Sequence, residues 1–187
     1  MGRTYDNIDQ DLRTWIEGQR MFFVATAPVS ASGHVNVSPK GLDTLRVLNS
    51  HAIAYLDHVA SGVETIAHVR ENGRIVVMLC AFEGPPRIVR LHGQGSVFEP
   101  QDPRYAELRG MFPPDPPGRA IIHVAVARVS DSCGFGVPIY RYEGQRSQLA
   151  VWAQRKGADG LAEYQRERNR FSIDGLPTIL WIEQSHE

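Results

Sequence analysis

His34-Val35-Asn36-Val37-Ser38-Pro39-Lys40-Gly41 alternates with period two, and it opens a run to Phe98 that reads as strands on either side of a single helix. Alternation sends successive side chains to opposite faces of an extended strand, so Asn36, Ser38 and Lys40 share one face. That face carries an amide, a hydroxyl and an ammonium in a row. Taken alone, the row is an ordinary solvent face; Gly41 beside Lys40 permits close backbone approach. The helix of the run opens at Ser61-Gly62-Val63-Glu64-Thr65, where Ser as N-cap and Glu three residues on form a capping box. First-turn N–H groups beside the positive end of a helix dipole make an anion seat, and a phosphate is expected there.

Working outward, Met21 to Ala27 is a β-rich stretch that pairs with His34 to Ser38 as a hairpin across Ser30-Ala31-Ser32-Gly33. Leu45 to Leu48 and Ala52 to Asp57 read as two further strands, and the helix runs from Ser61 to Glu71 before the Asn72-Gly73 turn. Arg74 to Phe82 and Arg87 to Phe98 follow, joined by Glu83-Gly84-Pro85-Pro86, and Ile121 to Val129 is a last, Val-rich strand. Six or seven strands around one short helix predict a small antiparallel barrel. Ile8, Leu12, Trp15 and Ile16 fall at helical spacing within Asn7 to Gln19. Between the last two strands, Pro103 to Arg109 reads as a short helix. Pro113-Pro114-Asp115-Pro116-Pro117-Gly118 reads as a stiff exposed loop, a connector in preference to a lid. Beyond Asp131 two helices are expected, Arg146 to Lys156 and Gly160 to Asn169, separated by Gly157. The predicted organisation is one domain: an N-terminal helix (1–20), a barrel (21–130) and a helical C-terminal extension (131–187). That extension is too small for its own core and should pack on the barrel or on a second subunit.

With 187 residues, 42% of them hydrophobic and 22% charged, the chain suits an ordinary globule with a sizeable core. A formal net charge of −1, with Lys and Arg dispersed, leaves no electrostatic footprint for nucleic acid or anionic membrane. Neither a signal-peptide core nor an apolar stretch near the ~20 residues of a membrane helix is present, so a cytoplasmic location is expected. Cys80 and Cys133 lack a Cys-x-x-Cys partner and read as free thiols. There is no Gly-x-Ser-x-Gly, Walker loop or His-Glu-x-x-His. Gly93-Gln94-Gly95 and Gly134-Phe135-Gly136 are half-fingerprints, read as bulges or turns. Glu64 and His68 share a helix face, which reads as structural and not as a metal site. On the Arg87-Ile88-Val89-Arg90-Leu91-His92-Gly93 strand, an Arg could support a bound anion or a flavin carbonyl.

In order along the chain, Val35-Asn36-Val37-Ser38-Pro39-Lys40-Gly41, Ala54-Tyr55-Leu56-Asp57, Ser61-Gly62-Val63-Glu64-Thr65, Glu71-Asn72-Gly73-Arg74-Ile75 and Arg87-Ile88-Val89-Arg90-Leu91-His92-Gly93 together resemble the pyridoxamine 5′-phosphate oxidase-like family of FMN-binding split β-barrels. The resemblance spans about Met21 to Val129. It implies a six-stranded antiparallel split β-barrel and a homodimer with FMN at the subunit interface. Carried over by position, it implies that Asn36, Val37 and Ser38 touch the isoalloxazine and ribityl groups. Lys40, Ser61, Gly62 and Thr65 would surround the phosphate, with Asp57 and Arg87 as further contacts.

Two departures set the chain apart from oxidases of pyridoxamine phosphate. Ser61-Gly62-Val63 lacks their basic pair, and Trp152 to Glu187 lacks their Arg-x-His segment, which argues against pyridoxine or pyridoxamine phosphate as substrate. The implied activity is FMN-dependent oxidoreduction of an unidentified small organic molecule by hydride transfer through flavin N5, with no catalytic side chain assigned and Cys133 read as a loop thiol. Alternatives on the same barrel are a non-catalytic flavin or haem carrier, with His68 or His92 on the iron, and a reductase using the deazaflavin F420. No basic cluster for the F420 tail is visible.

Overall fold

In the computed structural model, which describes residues 2–183, eight strands form one antiparallel sheet flanked by helices. The elements in chain order are β1 (Thr4–Tyr5), α1 (Gln10–Glu17), β2 (Phe22–Thr26), β3 (Asn36–Lys40), β4 (Leu45–Asn49), β5 (Ala52–His58), α2 (Glu64–Asn72), β6 (Arg74–Cys80), β7 (Ile88–Phe98), α3 (Pro103–Arg109), β8 (Gly118–Ser132), α4 (Gln148–Arg168) and α5 (Leu180–Glu183). Hydrogen bonding follows the order β3-β2-β6-β7-β8-β5-β4, with β1 on β8. This is the split β-barrel, with eight strands where the sequence named seven and the family resemblance implied six. The strand with no sequence signal is β1. It exists because β8 runs on to Ser132, past the end of its pairing with β5, and Thr4 and Tyr5 take that vacant edge opposite Ser130 and Val129.

Burial explains the strand compositions. Ala52 to Asp57 is buried throughout because both faces of β5 are covered. Ile53 and Tyr55 point into the barrel with Val24, Val77, Leu91, Ile122 and Val124. Ala54 and Leu56 point the other way, onto Phe98, Phe112 and Ile121 under the Tyr105 and Leu108 side chains of α3. Leu12 and Ile16 of α1 join the first cluster, and burying each stabilises the fold by about 1.5–3 kcal/mol. Asp9 caps that helix through Leu12 N–H at 2.8 Å. Gly93 lies at a β-bulge, where the β7–β8 register shifts, as its glycine pair suggested.

Three expectations need correction. α2 begins at Glu64, not Ser61, with Val63 at the N-cap and no side-chain cap. β8 begins at Gly118, not Ile121, so Gly118, the end of the expected Pro-rich loop, and Arg119 after it both belong to the strand. That loop is partly packed: Pro116 is buried, and the Pro117 carbonyl accepts from Val59 N–H at 3.3 Å. The two C-terminal helical stretches that make up α4 are separated at Gly157 (φ 66, ψ 177), as expected, in a conformation that suits glycine. After α4 the chain packs on the barrel, as Glu99 shows. Its buried carboxylate pairs with Arg70 and accepts from Leu180 N–H at 2.9 Å, holding α5 in place. Residues 184–187 of the expected extension lie outside the described residues.

Candidate functional site

The inward face of β3 is the polar row that its alternation predicts. Asn36 Nδ2 donates to Thr26 Oγ1 at 3.1 Å and to Thr65 Oγ1 at 2.9 Å, tying β3 to α2. Ser38 Oγ donates to Asn36 Oδ1 at 3.0 Å, which fixes the amide from its other side. Lys40 Nζ donates to Asp57 Oδ1 at 2.6 Å. Val37 points the opposite way and is 62% exposed, so only its backbone belongs to the row.

Asp57 is fully buried and would be unstable there alone. Burial pushes its pKa up, but the charges of Arg119 and Lys40 and their hydrogen bonds outweigh that and hold it at about 2. Arg119 Nε meets the second carboxylate oxygen at 2.8 Å. The same guanidinium donates to Ala60 O at 2.8 Å, to Asn169 Oδ1 at 2.9 Å and to Gly62 O. Asn169 Nδ2 in turn donates to Ala60 O at 2.9 Å and to Ser61 O at 3.2 Å. Residues 60–62 are thus shaped from two distant parts of the chain. One carboxylate faces two cations, so the cluster carries one excess positive charge. Lys40 is the solvent-facing member, its side chain 22% exposed against 2% for Arg119.

Of the predicted residues, Asn36, Ser38, Lys40, Asp57 and Thr65 come together. Thr65 is buried and spent on Asn36, not open to solvent, and Asp57 can act only through Lys40. Ser61 and Gly62 are exposed beside the start of α2, with their carbonyls engaged from behind. The capping box is replaced by Glu64 Oε2 accepting from Val63 N–H at 3.0 Å. Arg87 is not brought to this group. It binds the Tyr5 hydroxyl at 2.8 Å and Asp131 at 3.2 Å and lies over Trp15, so it anchors the N-terminus. His68 is wholly buried on Thr26 Oγ1 at 3.0 Å, and burial lowers its pKa. It has no exposed edge for haem iron. Among the described residues no cluster of three or more His, Cys, Asp or Glu could hold a metal. The residues that sequence reasoning missed are Arg119 and Asn169. Their only signal is an arginine at the head of the strongly apolar stretch Ala120-Ile121-Ile122.

A family profile described as pyridoxamine 5′-phosphate oxidase matches residues 8–133, which holds every residue of the row and of its Asp57–Arg119 support. The chain belongs to the pyridoxamine 5′-phosphate oxidase family. The pyridoxamine 5′-phosphate oxidase family protein ustO of Aspergillus flavus is 40% identical over 194 residues, spanning 94% of this chain and 77% of that relative. HupZ of Group A Streptococcus has the same fold, with a TM-score of 0.51 at 21% identity over 65% of this chain and 91% of its own. A single-residue variant of HupZ gives a TM-score of 0.53 at 22% identity, over 67% and 99% respectively. At such identities the likeness to HupZ is one of fold. Asn169, α4 and α5 lie beyond the family match.

Proposed function

We propose that the chain is an FMN-dependent oxidoreductase of a small organic substrate, working as a homodimer in the cytoplasm, with the flavin phosphate held at the Lys40 end of the β3 row. The observation that carries this reading is the excess positive charge of the Lys40–Asp57–Arg119 cluster, presented to solvent by Lys40 alone. Lys40, the Ser61 hydroxyl and the exposed Ser61-Gly62 backbone suit a phosphate, while Asn36, Ser38 and the Val37 backbone suit the ribityl chain and ring. Family membership supports a flavin, and the donor set fits one. The exposed Val37 on edge strand β3 and the exposed Val35 just before it support a subunit contact. No helix of the described residues is long and apolar enough to cross a membrane, and both cysteines are unpaired, which accords with a reducing compartment.

Bound FMN supplies hydride transfer at N5. The chain binds and orients it: Asp57 aims the Lys40 ammonium, Arg119 and Asn169 shape residues 60–62, and Thr65 sets the Asn36 amide. Asp57, buried with a pKa of about 2, is ionised at neutral pH and donates no proton. Protein purified without added cofactor should show visible flavin absorption, or gain it with FMN, and denaturation should release FMN by mass. Absence of both, a Soret band in their place, or a released deazaflavin would overturn the reading.

A further inference from the structure

A cavity of about 810 Å³ lies at the Lys40-Gly41 end of β3. One wall is the segment Tyr140–Leu149, which crosses back over the barrel after β8 and lies beyond the family match. It is held by few contacts: Tyr140 N–H donates to Phe82 O at 2.9 Å and Tyr142 N–H to Glu83 Oε1 at 3.1 Å. The lining is aromatic and cationic. Phe82 and Tyr140 stack at 5.6 Å, and the Arg20 guanidinium sits 5.4 Å over the Tyr142 ring. Arg141 and Arg146 add two cations, Lys40 a third, and Glu83, the one acid among the described lining residues, is already engaged by Tyr142 N–H. Exposed aromatic faces with unpaired guanidinium groups suit a flat ring system bearing an anion. Pockets of about 300–1,000 Å³ hold drug-sized ligands, so one ring would leave most of this volume unfilled.

We propose that this cavity binds an aromatic acid of two or more rings, its anionic group on Arg20 and Arg146 and its rings against Phe82, Tyr140 and Tyr142. Lys40 is shared with the polar row, so the cavity adjoins the phosphate end of the proposed flavin site; that adjacency rests on the flavin reading, the cavity's ligand chemistry does not. Anilinonaphthalene sulfonate, which fluoresces when it enters an apolar site, is the probe, and neutral phenylnaphthylamine is its control. In the protein as purified with excess FMN, the sulfonate should bind. Arg20→Gln and Arg146→Gln should each weaken it about fivefold without affecting the neutral probe. Both arginines are exposed, so the fold should be spared, and Arg20→Lys should keep most of the binding. Arg104→Gln, on α3, should change nothing. Unchanged sulfonate binding in the Arg20→Gln/Arg146→Gln double variant overturns the proposal, as does displacement of the sulfonate by FMN, which would make the cavity the flavin's own. Failure of the flavin reading shows separately, as no visible absorption gained with FMN.

Discussion

Lys40 Nζ meets Asp57 Oδ1 at 2.6 Å, joining β3, at one end of the sheet order, to β5, next to its other end. The split in the barrel is thus bridged by a charged pair whose remaining oxygen belongs to Arg119. Backbone bonds alone could not close it, because β3 and β4 are not hydrogen-bonded neighbours in the sheet.

Asp57 makes stability depend on acid. Its folded pKa of about 2 lies below the unfolded carboxylate value, so the stabilisation is complete above about pH 4 and is lost as pH falls toward 2. The loss should be about 2 kcal/mol, read as a falling urea midpoint between about pH 4 and 2. Asp57→Asn should begin less stable and show a flatter decline over that window.

Arg119→Met should cost about 3–5 kcal/mol in chemical denaturation, because it leaves Asp57 buried with Lys40 alone and strands Asn169 Oδ1 and Gly62 O. Arg119→Lys keeps the charge but cannot reach four acceptors with one ammonium, so it should recover only part of the loss. A midpoint equal to that of the parent protein would contradict the role assigned to this guanidinium.

Lys40→Gln should raise the FMN dissociation constant about tenfold to a hundredfold, the worth of one charge-assisted phosphate contact. Flavin fluorescence quenching measures it. Arg87→Gln should leave FMN affinity within about twofold and lower stability by about 1 kcal/mol, since Arg87 serves Tyr5 and Asp131. Equal effects from the two substitutions would detach the phosphate from Lys40.

Gly93→Ala should destabilise more than Gly95→Ala. A Cβ on Gly93 would lie 2.2 Å from the Ala125 carbonyl oxygen, which is backbone, whereas on Gly95 it would lie 2.9 and 3.0 Å from the two Val69 methyls, which are side-chain atoms. Losses of about 3 and about 1 kcal/mol are expected from thermal melts.

The β3 row was legible because its alternation, turn and hairpin partner are all local: Gly33 precedes it, Phe22 to Thr26 pairs with it, and period two fixes which residues share a face. The start of α2 was not. Ser61 and Glu64 have capping-box spacing, but Asn169 and Arg119, 108 and 57 residues away from the carbonyls they take, bend residues 60–62 out of the helix. Local capping, worth about 1 kcal/mol, yields to that buried network. Arg119 itself gave little signal, since a single arginine before an apolar run reads as the end of a loop. The surroundings of Arg87 were not legible either: it stands just before β7, and the partners that place it, Tyr5 and Asp131, lie 82 and 44 residues away.

Asn169 makes the end of the chain unequal in its tolerance of change. The Gly136–Ser147 stretch is almost wholly exposed, so lengths there can drift, and tags or protease sites inserted there should leave the barrel intact. An insertion between Gln165 and Asn169 would shift Asn169 out of reach of Arg119, and the disturbance would surface more than a hundred positions upstream, at Ala60 and Ser61. The last turn of α4 is therefore, in effect, a remote piece of the loop before α2, and relatives that vary its length should vary that loop with it.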